Sequence, residues 1–223
     1  MSIKMEQHGD VAVIALDDGK ANAINPDWMQ TMMATLDEAE QAAKAIVIQG
    51  RPGVFSGGFD LKWLAAADMG QLSGFLDIAT TMFKRLYACP RPLLAACTGH
   101  AIAAGAFVLL ACDTRIAARG EFRFGANETL NNMNLPVFAV ELMKARLDGR
   151  VLTEAMVQSK MYDPEGAMAA GFVDQLEDAD AVVSTALATA ELLAQLPGDA
   201  YAYNKLILRQ PTIDTMTQAI GSN

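Results

Sequence analysis

Two short stretches decide how this chain is read: Phe55-Ser56-Gly57-Gly58-Phe59-Asp60-Leu61 and Gly99-His100-Ala101-Ile102-Ala103-Ala104-Gly105. Each follows an apolar, strand-like run, Ala45–Gln49 in the first case and residues 93–98 in the second. Each leads into a helix-like segment. A strand that ends in small residues and opens a helix leaves backbone N–H groups free, because the first helical turn holds no acceptors for them. Two such groups aimed at one point form an oxyanion hole. The pattern points to chemistry at a carbonyl that uses no catalytic Ser, Cys or metal.

Outward from these turns, strand and helix patterns alternate. Val11–Leu16 is an apolar β run ending in Asp17-Asp18-Gly19. Asn25 then serves as an N-cap with Pro26 at the first helical position. Trp28, Met29, Met32, Met33 and Leu36 recur at helical spacing to about residue 43. Helices are expected over 61–67 and 72–87, the latter stopped by Cys89-Pro90-Arg91-Pro92. Residues 103–111 read as helix, Thr114–Ala118 as strand, and 121–124 as a short strand or hairpin arm. The remainder is mostly helical, over 137–147, 153–159, Pro164–Ala170, 179–196, 201–209 and 213–220, with a brief strand at 172–176. Strand-strand-helix units recur without sequence repeats. The order predicts an α/β fold of parallel layers with a helical C-terminal part.

Composition sets the outer bounds. A chain of 223 residues with 52% hydrophobic content buries a full core. Charged residues make up 19%, below the usual share of about 25%, which favours further burial in an oligomer. The net charge of −9, with no Lys/Arg block, argues against nucleic acid as a partner. Cys89, Cys97 and Cys112 are odd in number and lack C-x-x-C spacing, so they read as reduced, buried thiols of a cytoplasmic protein. The polar start, residues 1–10, is not a signal or transit peptide. The apolar run 101–112 is too short to cross a bilayer. Gly221-Ser222-Asn223 is no known address or lipidation signal.

Five segments in order resemble the crotonase superfamily of enoyl-CoA hydratases and isomerases. Asn22-Ala23-Ile24-Asn25 resembles its N-A-L-N segment, and residues 55–61 its F-S-A-G-x-D-L. Residues 99–105 followed by Cys112-Asp113 resemble G-x-A-x-G-G-G…C-D. Phe124-Gly125-Ala126-Asn127-Glu128 resembles F-G-x-x-E, and Ala169-Ala170-Gly171-Phe172-Val173-Asp174 resembles A-x-x-x-G-[LF]-V-D. The resemblance implies a spiral of ββα units over residues 1–175, carrying the coenzyme A and active sites, and a helical packing and trimerisation region over 176–223. It implies an acyl-CoA thioester as substrate, no separate cofactor, and a homotrimer or hexamer. It places the oxyanion donors at the backbone N–H groups of Phe59 and Ala104. Substrate-binding positions follow at Lys20, Ala21 and Ala23, at Ser56, Gly57, Gly58, Asp60 and Leu61, and at Phe107 and Asn127.

The catalytic carboxylates separate the subfamilies. Hydratases of this family carry two glutamates, and the first position here is Phe107 while the second is Glu128. Asn127-Glu128-Thr129 is similar to the N-E-T of the mitochondrial isomerases. Hydration needs a water held between two carboxylates, whereas moving a double bond from C3 to C2 needs one base in a dry pocket. The expectation is therefore a 3-enoyl-CoA to 2-enoyl-CoA isomerase with Glu128 as its acid/base. The alternatives are a hydratase that recruits Glu141 or Asp77, another enolate reaction on a CoA thioester, and a non-catalytic acyl-CoA-binding homologue.

Plainer readings stand beside these. Asp60 reads as a helix cap, Asp113 as structural, and the Met29/Met32/Met33 stripe as helix core. Lys20 and Lys62 suit CoA phosphates or simply solvent. His100 sits where the family accepts many residues. Ser56 lacks a nucleophile elbow. No His/Cys/acid group has metal spacing. Ala103 and Ala104 stand where the family usually has glycines; helical angles, which keep the N–H correctly aimed, are expected for them, and their methyl groups narrow the approach to the thioester. The chain also ends before the family's last helix, so either its C-terminus is short or the sequence omits a tail. Residues 64–76 and 131–138 are the segments on which pocket depth depends.

Overall fold

A computed structural model describes residues 3–221. Met1, Ser2, Ser222 and Asn223, which belong to the terminal signals considered above, lie outside the described residues.

The chain opens with β1 (Ile3–His8) and β2 (Val11–Leu16), paired antiparallel with His8 opposite Val11. Helix α1 (Pro26–Ala42) follows, started by the Asn25 side chain accepting from Trp28 N at 3.0 Å. Three strand-strand-helix units come next. In the first, β3 (Ala45–Gln49) and β4 (Gly53–Ser56) lead into α2 (Leu61–Ala66) and α3 (Met69–Tyr87). In the second, β5 (Leu93–Cys97) and β6 (Gly99–Ile102) lead into α4 (Ala104–Ala111). In the third, β7 (Thr114–Ala118) and β8 (Phe124–Gly125) lead, through a short 3-10 turn, into α5 (Val137–Arg146). The chain closes with α6 (Pro164–Ala170), β9 (Gln175–Glu177), α7 (Val182–Leu193) and α8 (Gly198–Ala219).

The first strand of each unit joins a six-stranded sheet, β1-β2-β3-β5-β7-β9, parallel from β2 onward. The second strands form a separate parallel sheet, β4-β6-β8. Strand residues of the large sheet alternate between two cores, because successive side chains point to opposite faces. Ile46, Ile48, Leu93 and Ala95 join the main core between the sheets and helices. Val47, Leu94, Ala96 and Ile116 face the second core under α7. Burial on both faces explains why these strands read as unbroken apolar runs.

Several expectations need correction. β1 was not expected, because most of its side chains are exposed and polar on a sheet edge. β4 and β6 occupy stretches read as turns; a Cβ on Gly99 would stand 1.9 Å from the Gly53 backbone, so close strand approach demands glycine there. Residues 153–157 form a π-helical turn. The strand expected at 172–176 is confined to 175–177, since Gly171 at φ 94° ends α6 and Phe172 N bonds back to Ala167 O. The two last helices are one, running through Pro211, with Lys205 and Arg209 buried before the proline and Met216 buried after it. Tertiary packing on both sides offsets the missing N–H. All three cysteines are free and buried, and burial pushes each thiol up to about 12. No helix among the described residues is long and apolar enough to cross a membrane.

Candidate active site

The first turn is held by the loop that precedes α1. Asn22 takes φ 50° and is fully buried. Its Nδ2 donates to Leu16 O and Phe55 O, at 3.0 Å each, tying loop to strand end. Ser56 Oγ donates to Asn22 O at 2.8 Å and accepts from Gly58 N at 3.2 Å. Gly57 N donates to Ala21 O at 2.8 Å. Ile24 pairs in parallel with Phe59 through Ile24 N to Gly58 O and Asp60 N to Ile24 O. Both bonds use the neighbours of Phe59, so its own N–H points away from this bridge. Asp60 then caps α2, accepting from Lys62 N and Trp63 N.

The second turn meets the first. Ala103 has φ 51° and ψ −125°, not the helical angles expected for it. That region belongs to glycine, and an alanine there carries strain on the order of 1–3 kcal/mol. Ala103 is held nonetheless: its N–H donates to Gly125 O at 2.8 Å, and its carbonyl accepts from Ala106 N and Phe107 N. The arrangement leaves Ala104 as the first residue of α4, without an intrahelical acceptor. Among the described residues, neither Phe59 N–H nor Ala104 N–H donates to a protein acceptor. Gly58, at φ 94°, lets the turns touch, since a Cβ there would stand 2.9 Å from Ile102 O and 3.2 Å from Ala104 N.

Two cavities meet at Gly57, Phe59 and Leu61. The outer one, about 710 Å³, carries charged side chains and runs past Lys20, Lys62, Asp18, Asp27 and Trp28. The inner chamber, about 340 Å³, is walled by Phe59, Leu64, Leu72, Phe75, Leu76, Met133 and Pro136. Glu128 lines it and is the only titratable residue that does so among the described residues. Glu128 follows β8 and precedes the 3-10 turn, where its carbonyl accepts from Asn131 N and Met133 N. Its side chain is buried, at 6% exposure, and Oε2 has no partner. Burial in an apolar chamber disfavours the charged form and raises the carboxyl to about 7; the backbone N–H groups of Glu128 and Asn127 oppose this only in part.

Lys20, Ala21, Ala23, Gly57, Gly58, Phe59, Asp60 and Leu61 line the outer cavity, and Phe59, Leu61, Asn127 and Glu128 line the chamber. Ala104 is buried beside Ala103 at the chamber edge. Two expected binding residues line neither cavity. Ser56 is fully buried and spends its hydroxyl on the loop. Phe107 points away, into a ring cluster 6.3 Å from Phe83 and 6.1 Å from Phe138. It stands behind the chamber wall, which is formed by Phe59 and Phe75 at 4.8 Å. Glu141 pairs with Lys144, and Asp77 accepts from Gly221 N; neither reaches the chamber. His100 Nδ1 accepts from Arg123 N and is structural. Ala103, flagged by its alanine where the family usually has glycine, lines the chamber, whereas Trp28, which lines the outer cavity, is indistinguishable from core by residue type.

A spiral of strand-strand-helix units whose turns meet at one site is the architecture of the crotonase superfamily. Within it, the chain belongs to the enoyl-CoA hydratase/isomerase family, whose sequence model matches residues 6–223. A solved structure of a family member from Pseudomonas syringae is 35% identical, covers 99% of this chain and 96% of its own, and superposes with a TM-score of 0.95. A Mycobacterium tuberculosis protein, 37% identical, carries both names: its structures are described as a probable enoyl-CoA hydratase and as an enoyl-CoA isomerase. Their TM-scores are 0.94 and 0.93, with 99% and 98% of this chain and 93% and 96% of theirs covered. The human mitochondrial enoyl-CoA delta isomerase 1 is 27% identical over 91% of this chain and 68% of its own length.

Proposed function

We propose that the protein moves the double bond of a 3-enoyl-CoA to the 2 position, with Glu128 as the single acid/base. The observation that carries this reading is the lone carboxylate of the apolar chamber. The Glu128 carboxylate takes a proton from C2, and the electron pair of that bond forms a dienolate whose negative charge rests on the thioester oxygen. The Phe59 and Ala104 N–H groups hold that oxygen. The same carboxyl returns its proton at C4, leaving a C2–C3 double bond and a regenerated carboxylate. No water enters the balance. Each oxyanion donor contributes on the order of 3 kcal/mol to the rate. A carboxyl near 7 is poised for both halves of the transfer at neutral pH.

In this reading coenzyme A lies in the outer cavity, with Lys20 and Lys62 facing its phosphates. The chain acts as a homotrimer or hexamer, which gives the exposed Leu192, Ile207 and Leu208 of α7 and α8 a partner. The test offers a 3-enoyl-CoA and, separately, a 2-enoyl-CoA, with Glu128→Gln in parallel. Conjugation appearing from the 3-enoyl thioester, lost in the variant, without hydration of the 2-enoyl one, is expected. Hydration of the 2-enoyl thioester would overturn the assignment.

A further inference from the structure

Ala103 keeps a methyl group at backbone angles where glycine would be unstrained, and that methyl lines the chamber together with Gly57, Phe59 and Glu128. The methyl cannot retreat. It has no rotamers, its backbone is fixed on both sides by bonds to Gly125 O and from Ala106 N and Phe107 N, and Gly58 is packed against it. Ala104, the next residue, carries one of the two free N–H groups. Under the proposed function, a thioester oxygen on those groups brings C2 into the chamber within reach of Glu128, and the Ala103 methyl lines that same chamber. A substituent on C2 would compete with that methyl for space.

We propose that Ala103 is a specificity-determining residue that restricts the chamber to thioesters unbranched at C2, an inference that rests on the proposed function. A packed site rejects one surplus methyl by about ten- to a hundredfold.

Calorimetric titration with butanoyl-CoA and 2-methylbutanoyl-CoA tests this without turnover, since both thioesters are saturated. The wild-type protein is expected to bind the straight chain at least tenfold more tightly. Ala103→Gly, which suits the backbone angles, should bring the ratio below threefold. Ala103→Ser keeps the Cβ and should keep the ratio. Equal binding by the wild type, an unchanged ratio in Ala103→Gly, or a lost ratio in Ala103→Ser would overturn the inference. So would loss of both ligands in Ala103→Gly, which would make the methyl a prop for the turn. If the wild type binds neither thioester, the proposed function falls as well. If it binds the straight chain and only the ratio fails, that reading stands and the inference alone is lost.

Discussion

Gly58 and Ala103 fill one space between them: a Cβ on Gly58 would stand 2.9 Å from the Ala103 Cβ. The spacing of the two turns is set by that contact. Gly58→Ala would force the turns apart at a residue with φ 94° and push against Ile102 O and Ala104 N. Misplacing one donor is expected to lower kcat by about 10²–10³. Stability should fall by about 1–3 kcal/mol. Steady-state kinetics and urea unfolding read the two effects separately. A kcat within fivefold of wild type would mean that the turns do not hold the reacting oxygen.

Glu128 must be ionised to accept a proton, and burial raises its carboxyl to about 7. The value of kcat/KM should therefore climb tenfold per pH unit below about 6.5 and level off above about 8. The limb reports the free enzyme. A flat profile down to about pH 5 would remove Glu128 as the base.

The same shift has a stability consequence of opposite sense. The folded carboxyl lies near 7 and the unfolded one near the ordinary glutamate value of 4.5. Between those values the native state binds more protons than the unfolded state, so stability falls as pH rises through that window. Below about 4.5 the penalty is absent, and above about 7 it is complete. Glu128→Gln removes the ionisation. Its stability advantage over wild type should grow from about pH 4.5 to about pH 7.5, by up to about 3 kcal/mol. Thermal unfolding of both proteins across that range measures the difference; a constant offset would contradict it.

Legibility in the sequence followed the number of faces that a segment buries. β2, β3 and β7 were bounded correctly from the sequence because both of their faces are packed, and apolar runs of that kind have few other uses. β1 escaped because it is a polar edge, and β4 and β6 because glycine, needed where Gly99 meets Gly53, resembles a turn. Glu128 was legible through the motif around it, whereas its isolation in the chamber was not. That isolation depends on where 64–76 and 131–138 lie, and on Phe107 turning toward Phe83 and Phe138 instead of the cavity. The angles of Ala103 come from its bonds to Gly125 and α4, which no local pattern encodes.

Asp113, at the end of α4, holds the C-terminal helix by charge. Lys205 Nζ lies 2.8 Å from its Oδ2 and Arg209 Nη2 lies 2.8 Å from its Oδ1, with both cations at most 6% exposed. Tyr201 OH and Leu93 N donate to the same Oδ2. Removing one partner of a buried pair leaves an uncompensated charge, which is far costlier than replacing the whole pair by apolar groups. Asp113→Ala is expected to destabilise the fold by about 3–5 kcal/mol. In a Lys205→Met background the same change should cost less, because one of the two stranded cations is gone. Urea unfolding of the four proteins gives the coupling. Equal costs in both backgrounds would show that Lys205 draws nothing from Asp113, and that packing of α8 against α3 and α5 holds the helix without it.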